Sequence, residues 1–222
     1  MVQKKATFTT EAQGLCGRPM RSDTPSERFA LDWPRLFHVT NRKTLPSIRR
    51  YGLLSAARLC ELFDVPNERR AALLGANRDG YEPLQHPLRG TAVLRRQKMR
   101  DQAMHSRLTP GLTPADWRRF INGLVFFVTH EARAIRLRDY DRDQDQIILF
   151  WCTRALLDAG LDLRVCRYNN GMVDRSPPGR RRLRAPSDYV PLSRYAGGPI
   201  SEVAVPNAIP GSLDFTVWRG ST

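Results

Sequence analysis

The side chains best suited to chemistry stand at the ends of apolar runs. His38, with Thr40 and Asn41, closes "RLFHVTN"; Arg100, with Asp101 and Gln102, sits in "MRDQ"; Ser201 and Glu202 open "SEVAVP". An imidazole can hydrogen-bond a hydroxyl, a guanidinium fork matches phosphate oxygens, and a carboxylate takes up a proton or steadies a developing cation. Each has a plainer alternative. His38 reads equally as a histidine satisfied by a backbone carbonyl. Glu202 faces away from Val203 by strand alternation, either toward water or into a cleft. The chain has no P-loop, no G-x-G-x-x-G, no H-E-x-x-H and no nucleophile elbow, which excludes the usual nucleotide-triphosphate, dinucleotide-fold, zinc-protease and serine-hydrolase readings. Cys16, Cys60, Cys152 and Cys166 form no C-x-x-C pair, and the last two lie in apolar runs as small hydrophobes, so neither a disulfide framework nor a zinc site is expected.

Charge narrows the class of partner. Thirty-six Lys and Arg against 22 Asp and Glu leave +14, a balance suited to a polyanion. Arginine supplies most of it, and arginine binds phosphate bidentately and stacks on bases; arginine use imposed by a GC-rich genome is the competing explanation. The segment "GMVDRSPPGRRRLRAPSDY" carries Arg180, Arg181, Arg182 and Arg184 between prolines and glycines, and reads as an exposed basic loop that meets nucleic acid phosphates.

The elements that must position these groups can be read from periodicity. Residues 1–30 are polar and aperiodic, a tail outside the core, and residues 31–222 make one domain. "RLFHVT" is a short strand, followed by a helix from Leu45-Pro46 that Thr44 caps and Gly52 stops. "SAARLCELFDV" and "NERRAALLG" are short helices. From Asn77 to Thr113 periodicity is poor, and a loop of that length is more often functional than idle. "TPADWRRFI" has a capping threonine with proline next to it, so it begins a helix through Ile121. "GLVFFV", "QIILFWC", "LRVCRYN", "ISEVAVP" and "LDFTVWR" are strands, with short helices at "THEARAIRL", capped by Thr129, and at "TRALLDAG". Helices early and strands late give an α+β domain, with an antiparallel or mixed sheet that is split in two. No run is apolar enough to span a bilayer and no secretory leader is seen, so the cytoplasm is the expected compartment.

Four stretches, in order, resemble the DarT-like ADP-ribosyltransferases. "FHVTNRKTLPSIRRYGLLS" is similar to the strand ending in His-x-Thr and the helix after it. "NGLVFFVTHEARAIRL" resembles the family's aromatic strand and following helix, "QIILFWCTRALL" its next strand, and "ISEVAVPNAIPGSLDFTV" its closing strand with the catalytic glutamate. The likeness runs from about Leu36 to Trp218 and departs from the pattern at Thr44, at "LVFFV" and in the longer, more basic segment between Asn77 and Thr113.

This resemblance implies an ADP-ribosyltransferase-like split sheet with short helices around it, and an NAD-dependent transfer of ADP-ribose to a DNA or RNA base, without a metal. It implies Glu202 as the catalytic carboxylate and Arg100 at the pyrophosphate or the transition state, with Arg95 and Arg96 near enough to compete. His38, Thr40, Asn41 and Gly52 fall among the cofactor contacts. Alternation sends one of Phe126 and Phe127 into the core and leaves the other for the nicotinamide pocket, a place assigned to Phe127. The resemblance further suggests a toxin or phage-defence effector with a cognate antitoxin. The rival readings are an NAD-consuming RNA 2′-phosphotransferase and a catalytically silent nucleic-acid-binding module of the same fold.

Overall fold

In the computed structural model, which describes residues 24–170 and 183–220, the chain begins with a capping box. The Thr24 hydroxyl accepts from the Glu27 amide, the Glu27 carboxylate accepts from the Thr24 amide, and Pro25 takes the first turn, so α1 (Pro25–Asp32) starts sharply. Phe29 of this helix is 1% exposed and edge-on to Tyr195. The assignment of residues 1–30 to a tail outside the core is therefore corrected from residue 25 onward; residues 1–23 lie outside the described residues.

There follow β1 (Arg35–Asn41), α2 (Leu45–Tyr51), β2 (Leu53–Leu54), α3 (Ala56–Leu62) and α4 (Asn67–Gly75). The segment expected to be irregular is a hairpin, β3 (Glu82–His86) with β4 (Gly90–Leu94), then the short α5 (Asp101–His105). Its Leu84, Ala92 and Leu94 pack on Leu59, Phe63 and Leu73 of the α3–α4 region, an apolar set too sparse for the sequence alone to announce. The hairpin is tied to α2 by the Thr44 hydroxyl, which accepts from the Val93 amide and does not cap the helix as expected. α6 (Pro114–Asn122) has the Thr113/Asp116 capping box that its sequence predicts. The remaining elements are β5 (Leu124–Phe127), α7 (Glu131–Asp139), β6 (Gln146–Cys152), α8 (Thr153–Asp158), β7 (Arg164–Cys166), β8 (Val190–Pro191), β9 (Glu202–Pro206), β10 (Ala208–Ile209) and β11 (Thr216–Val217). His130, not Thr129, takes the N-cap position of α7, without a side-chain bond.

The result is an α+β fold of small antiparallel sheets and short helices. One sheet has the order β1-β6-β11 and another β5-β9-β7-β8, while β2 pairs with β10 and β3 with β4. The two larger sheets meet where Phe37 and Val128 exchange both backbone hydrogen bonds, each 2.9 Å. Between them lies the main core: Val125, Phe127, Val165, Val203 and Val205 from one sheet against Leu36, Ile147, Leu149 and Trp151 from the other, closed by Phe29 of α1 and Leu156 of α8. The opposite face of the four-stranded sheet carries a second cluster, with Ala204, Cys166 and Tyr189 against Trp117, Met99 and Met104. Alternation along β9 places Glu202 on that second face, in step with Ala204. Among the described residues no helix is long and apolar enough to cross a membrane.

Candidate active site

A cleft of about 1540 Å³ opens along this seam, lined by β1, the inner face of α2, the end of the hairpin, β5, α7 and the start of β9. Glu202 reaches it from the first position of β9, opposite Cys166 of β7, and is 8% exposed. Its carboxylate is held from two sides: the Tyr189 hydroxyl donates to Oε2 at 2.8 Å and the Asn170 amide donates to Oε1 at 3.1 Å. Burial, and then the charge of Glu202, push the Tyr189 phenol well above its ordinary value, so it remains a donor. Burial also pushes the neighbouring Cys166 thiol up to about 12, which rules it out as a nucleophile near neutrality.

His38 enters from β1, where the two sheets part. Its Nδ1 lies 2.8 Å from the Phe126 carbonyl. That partner can only accept, so Nδ1 carries the proton and Nε2 is left as an acceptor. Burial lowers the His38 pKa to about 4, with the Phe126 bond opposing and the charge of Arg95 assisting, so the ring is neutral at pH 7. The carbonyl bond and a place in the cleft, alternatives at the level of sequence, therefore do not exclude one another: one nitrogen is satisfied and the ring lines the cleft.

A pH dependence follows. The folded value of about 4 lies below the ordinary 6.5, so the unfolded chain takes up the proton first. This contribution to stability is complete above pH 6.5 and is lost as pH falls through 4, amounting to on the order of 3 kcal/mol in full. His38→Asn, which keeps a donor for the Phe126 carbonyl but does not titrate, should lose less stability between pH 7 and pH 4.5 than the parent in urea titrations. Equal losses would show that His38 is not held neutral by its surroundings.

The cationic lining consists of Arg78, Arg95, Arg96, Lys98, Arg100, Arg133 and Arg136, facing Asp79, Asp141 and Glu202. These cations are not equivalent. Arg95 and Arg96 both pair with Asp141, which is 1% exposed and also accepts from the Tyr81 hydroxyl at 2.5 Å. Arg78 is buried and bonds Asn122 at 3.0 Å, along with the Leu73 and Arg95 carbonyls. Arg133 donates to the Ser201 carbonyl beside Glu202. Arg100 is exposed and has no ion pair among the described residues. Of the three competing arginines it is the one not already committed to a carboxylate.

One family model, that of a family of unknown function (DUF7002), matches residues 34–216. The chain belongs to DUF7002. No curated protein and no solved structure matches it. The span that defines this DUF7002 member contains every residue lining the cleft and leaves α1 outside.

Several expected site residues land differently from their assignments. Phe127 is 1% exposed, edge-on to Trp151 at 5.6 Å and to His38 at 6.0 Å, so it supports the imidazole from the core; the ring with surface left in the cleft is Phe126. Thr40 is half-buried on the cleft wall. Asn41 also lines it, but its Oδ1 accepts from the Lys43 amide and starts the turn into α2. Gly52 touches the cleft and serves chain packing. Arg184 is corrected outright. Instead of projecting from an exposed loop it is 6% exposed, its guanidinium 4.5 Å from the centre of the Tyr168 ring and its backbone bridged to Leu108. Arg180, Arg181 and Arg182 lie outside the described residues. Tyr189, Asn170, Asp141 and Arg133 are among the cleft residues the sequence reading lacks.

Proposed function

We propose that the cleft binds NAD and that the protein transfers ADP-ribose from it to a nucleic acid acceptor. The observation that carries this reading is the pairing, in one arginine-lined cleft, of a buried and oriented carboxylate, Glu202, with a neutral histidine, His38. The resemblance to DarT-like ADP-ribosyltransferases, which assigns these same two positions, supports it.

The chemistry needs those groups in those states. Nicotinamide leaves with the electrons of the bond between its ring nitrogen and the ribose anomeric carbon, and the ribose becomes oxocarbenium-like. An acceptor nucleophile then attacks that carbon and gives up its proton. Glu202 stabilises the cationic sugar and takes the proton, the two tasks that carboxylates share in glycosyl transfer. The neutral His38 offers Nε2 to a ribose hydroxyl, and Phe126 gives the nicotinamide ring an apolar face. Arg100 meets the diphosphate, where a fixed charge needs no proton adjustment. The cleft exceeds the roughly 300–1,000 Å³ of ordinary ligand pockets, which leaves room for a dinucleotide and an acceptor nucleotide together. The net charge of +14 favours a nucleic acid over a protein acceptor.

Incubation with NAD and single-stranded DNA or RNA should release nicotinamide and add one ADP-ribose unit to the oligonucleotide by mass spectrometry. A folded protein that neither consumes NAD nor modifies either strand would overturn the reading. Removal of a 2′-phosphate from RNA with NAD consumption would replace it with the phosphotransferase.

A further inference from the structure

The second cavity, of about 470 Å³, lies on the far side of α2 from the cleft. Helical spacing divides this helix and the turn before it into two faces: Thr44, Ser47 and Ile48 line the cleft, whereas Leu45 and Arg49, one turn apart, line the small cavity together with Arg42. Ile147 of β6 and Val217, Trp218 and Arg219 at the end of β11 complete it. Three arginines thus surround a half-buried indole, and no carboxylate lines the cavity. Arg42 is steadied by Asp145, its Nε 3.0 Å from both carboxylate oxygens. Arg49 and Arg219 are exposed and have no ion pair or side-chain hydrogen bond among the described residues. The Trp218 ring is fixed on one side by the Arg138 guanidinium, 5.1 Å from its centre.

We infer that this cavity is a second binding site, distinct from the cleft, for the phosphates of a nucleic acid strand. Guanidinium forks that are uncommitted and exposed fit phosphodiester oxygens, and an indole among them supplies a surface for a base. The recessed position of Trp218 favours a strand over a lipid surface, which would require protruding apolar side chains. One helix, about 10–12 Å across, separates the two sites, so a strand seated here passes close to the cleft. The inference shares the acceptor class with the proposed transfer and is independent of its chemistry.

The test uses the full chain, a fluorescein-labelled single-stranded oligonucleotide, and the double variant Arg49→Gln, Arg219→Gln, whose surface positions spare the fold. Anisotropy titrations over a range of salt should show affinity weakened on the order of tenfold. The slope of log K against log salt should become shallower by about 1.4, for two lost phosphate contacts. The Arg49→Lys, Arg219→Lys pair should restore most of the slope. NAD hydrolysis without oligonucleotide should not change. An unaltered affinity and slope in the Gln pair would overturn the inference, as would wild-type protein that binds phosphatidylserine vesicles and no oligonucleotide. Salt-dependent binding that the Gln pair weakens, in a protein that never consumes NAD, would sink the catalytic reading and leave this one standing.

Discussion

In the Glu202→Gln variant, nicotinamide release from NAD is expected to fall by about 10²–10⁴-fold while the protein remains folded. The amide matches the carboxylate in shape but can neither take the acceptor's proton nor offset the charge on the sugar. The surroundings of Glu202 set the structural cost. Both oxygens face donors, the Tyr189 hydroxyl and the Asn170 amide, whereas a glutamine has one oxygen to offer and turns an N–H toward the other donor. That mismatch costs about 1–3 kcal/mol, seen as a lowered Tm and not as loss of the fold. Tyr189→Phe is the graded comparison, because it keeps the carboxylate and removes one of its donors; a loss of about tenfold is expected, smaller than for Glu202→Gln. A folded Gln variant that turns over NAD at the parental rate would remove Glu202 from the chemistry.

Gly52→Ala is expected to destabilise the fold by on the order of 3–5 kcal/mol. Gly52 ends α2 with φ +85° and ψ 176°, a conformation that side-chain-bearing residues avoid. A Cβ there would lie 2.2 Å from the Ile209 carbonyl oxygen and 2.8 Å from the Gly211 nitrogen. Both are backbone atoms, so no rotamer change relieves the clash, and β10 must move away from β2. Gly90→Ala separates this effect from conformational strain alone: Gly90 has φ +79° with nothing within 4 Å of an added Cβ, and its replacement should cost about 1–2 kcal/mol. Urea unfolding of the two variants is the comparison. Equal costs would mean that the approach of β10 is not what requires glycine at position 52.

The parts of the fold legible in the sequence are those where a local signal and a burial pattern coincide. The apolar runs of β5, β6 and β9 and the Thr113 capping box of α6 are of this kind, as is the glycine stop at Gly52. α1 carries an equally readable Thr-Pro-x-Glu start, obscured by its polar neighbours and by the single buried side chain, Phe29, that it contributes. The β3–β4 hairpin was not legible because Pro83 sits inside a strand and the packing comes from distant helices. The site divides the same way. Glu202 opens its strand and His38 is a lone histidine in an apolar run, so both are conspicuous, although β1 continues to Asn41 and places His38 at its centre and not at its end. Asp141 lies in "DYDRDQDQ", which looks like a solvated loop, and is buried only because Arg95 and Arg96 arrive from some forty-five residues upstream. Arg184 misleads in the opposite sense: an arginine run signals solvent until Tyr168 is seen beneath the guanidinium.

The pairing of β2 with β10, and of β5 with β9, has a bearing on the order of synthesis. His38, Gly52 and Phe126 are made early, but the wall that completes their side of the cleft, and the carboxylate that faces them, belong to residues 202–209. Strand partners this far apart in sequence close slowly and cannot close before the later strand has left the ribosome. A nascent chain therefore holds a histidine, an arginine rim and half a seam without Glu202, the carboxylate on which the proposed transfer depends. The cleft is complete only when β9 and β10 are in place, and any chemistry that needs Glu202 waits for the end of synthesis.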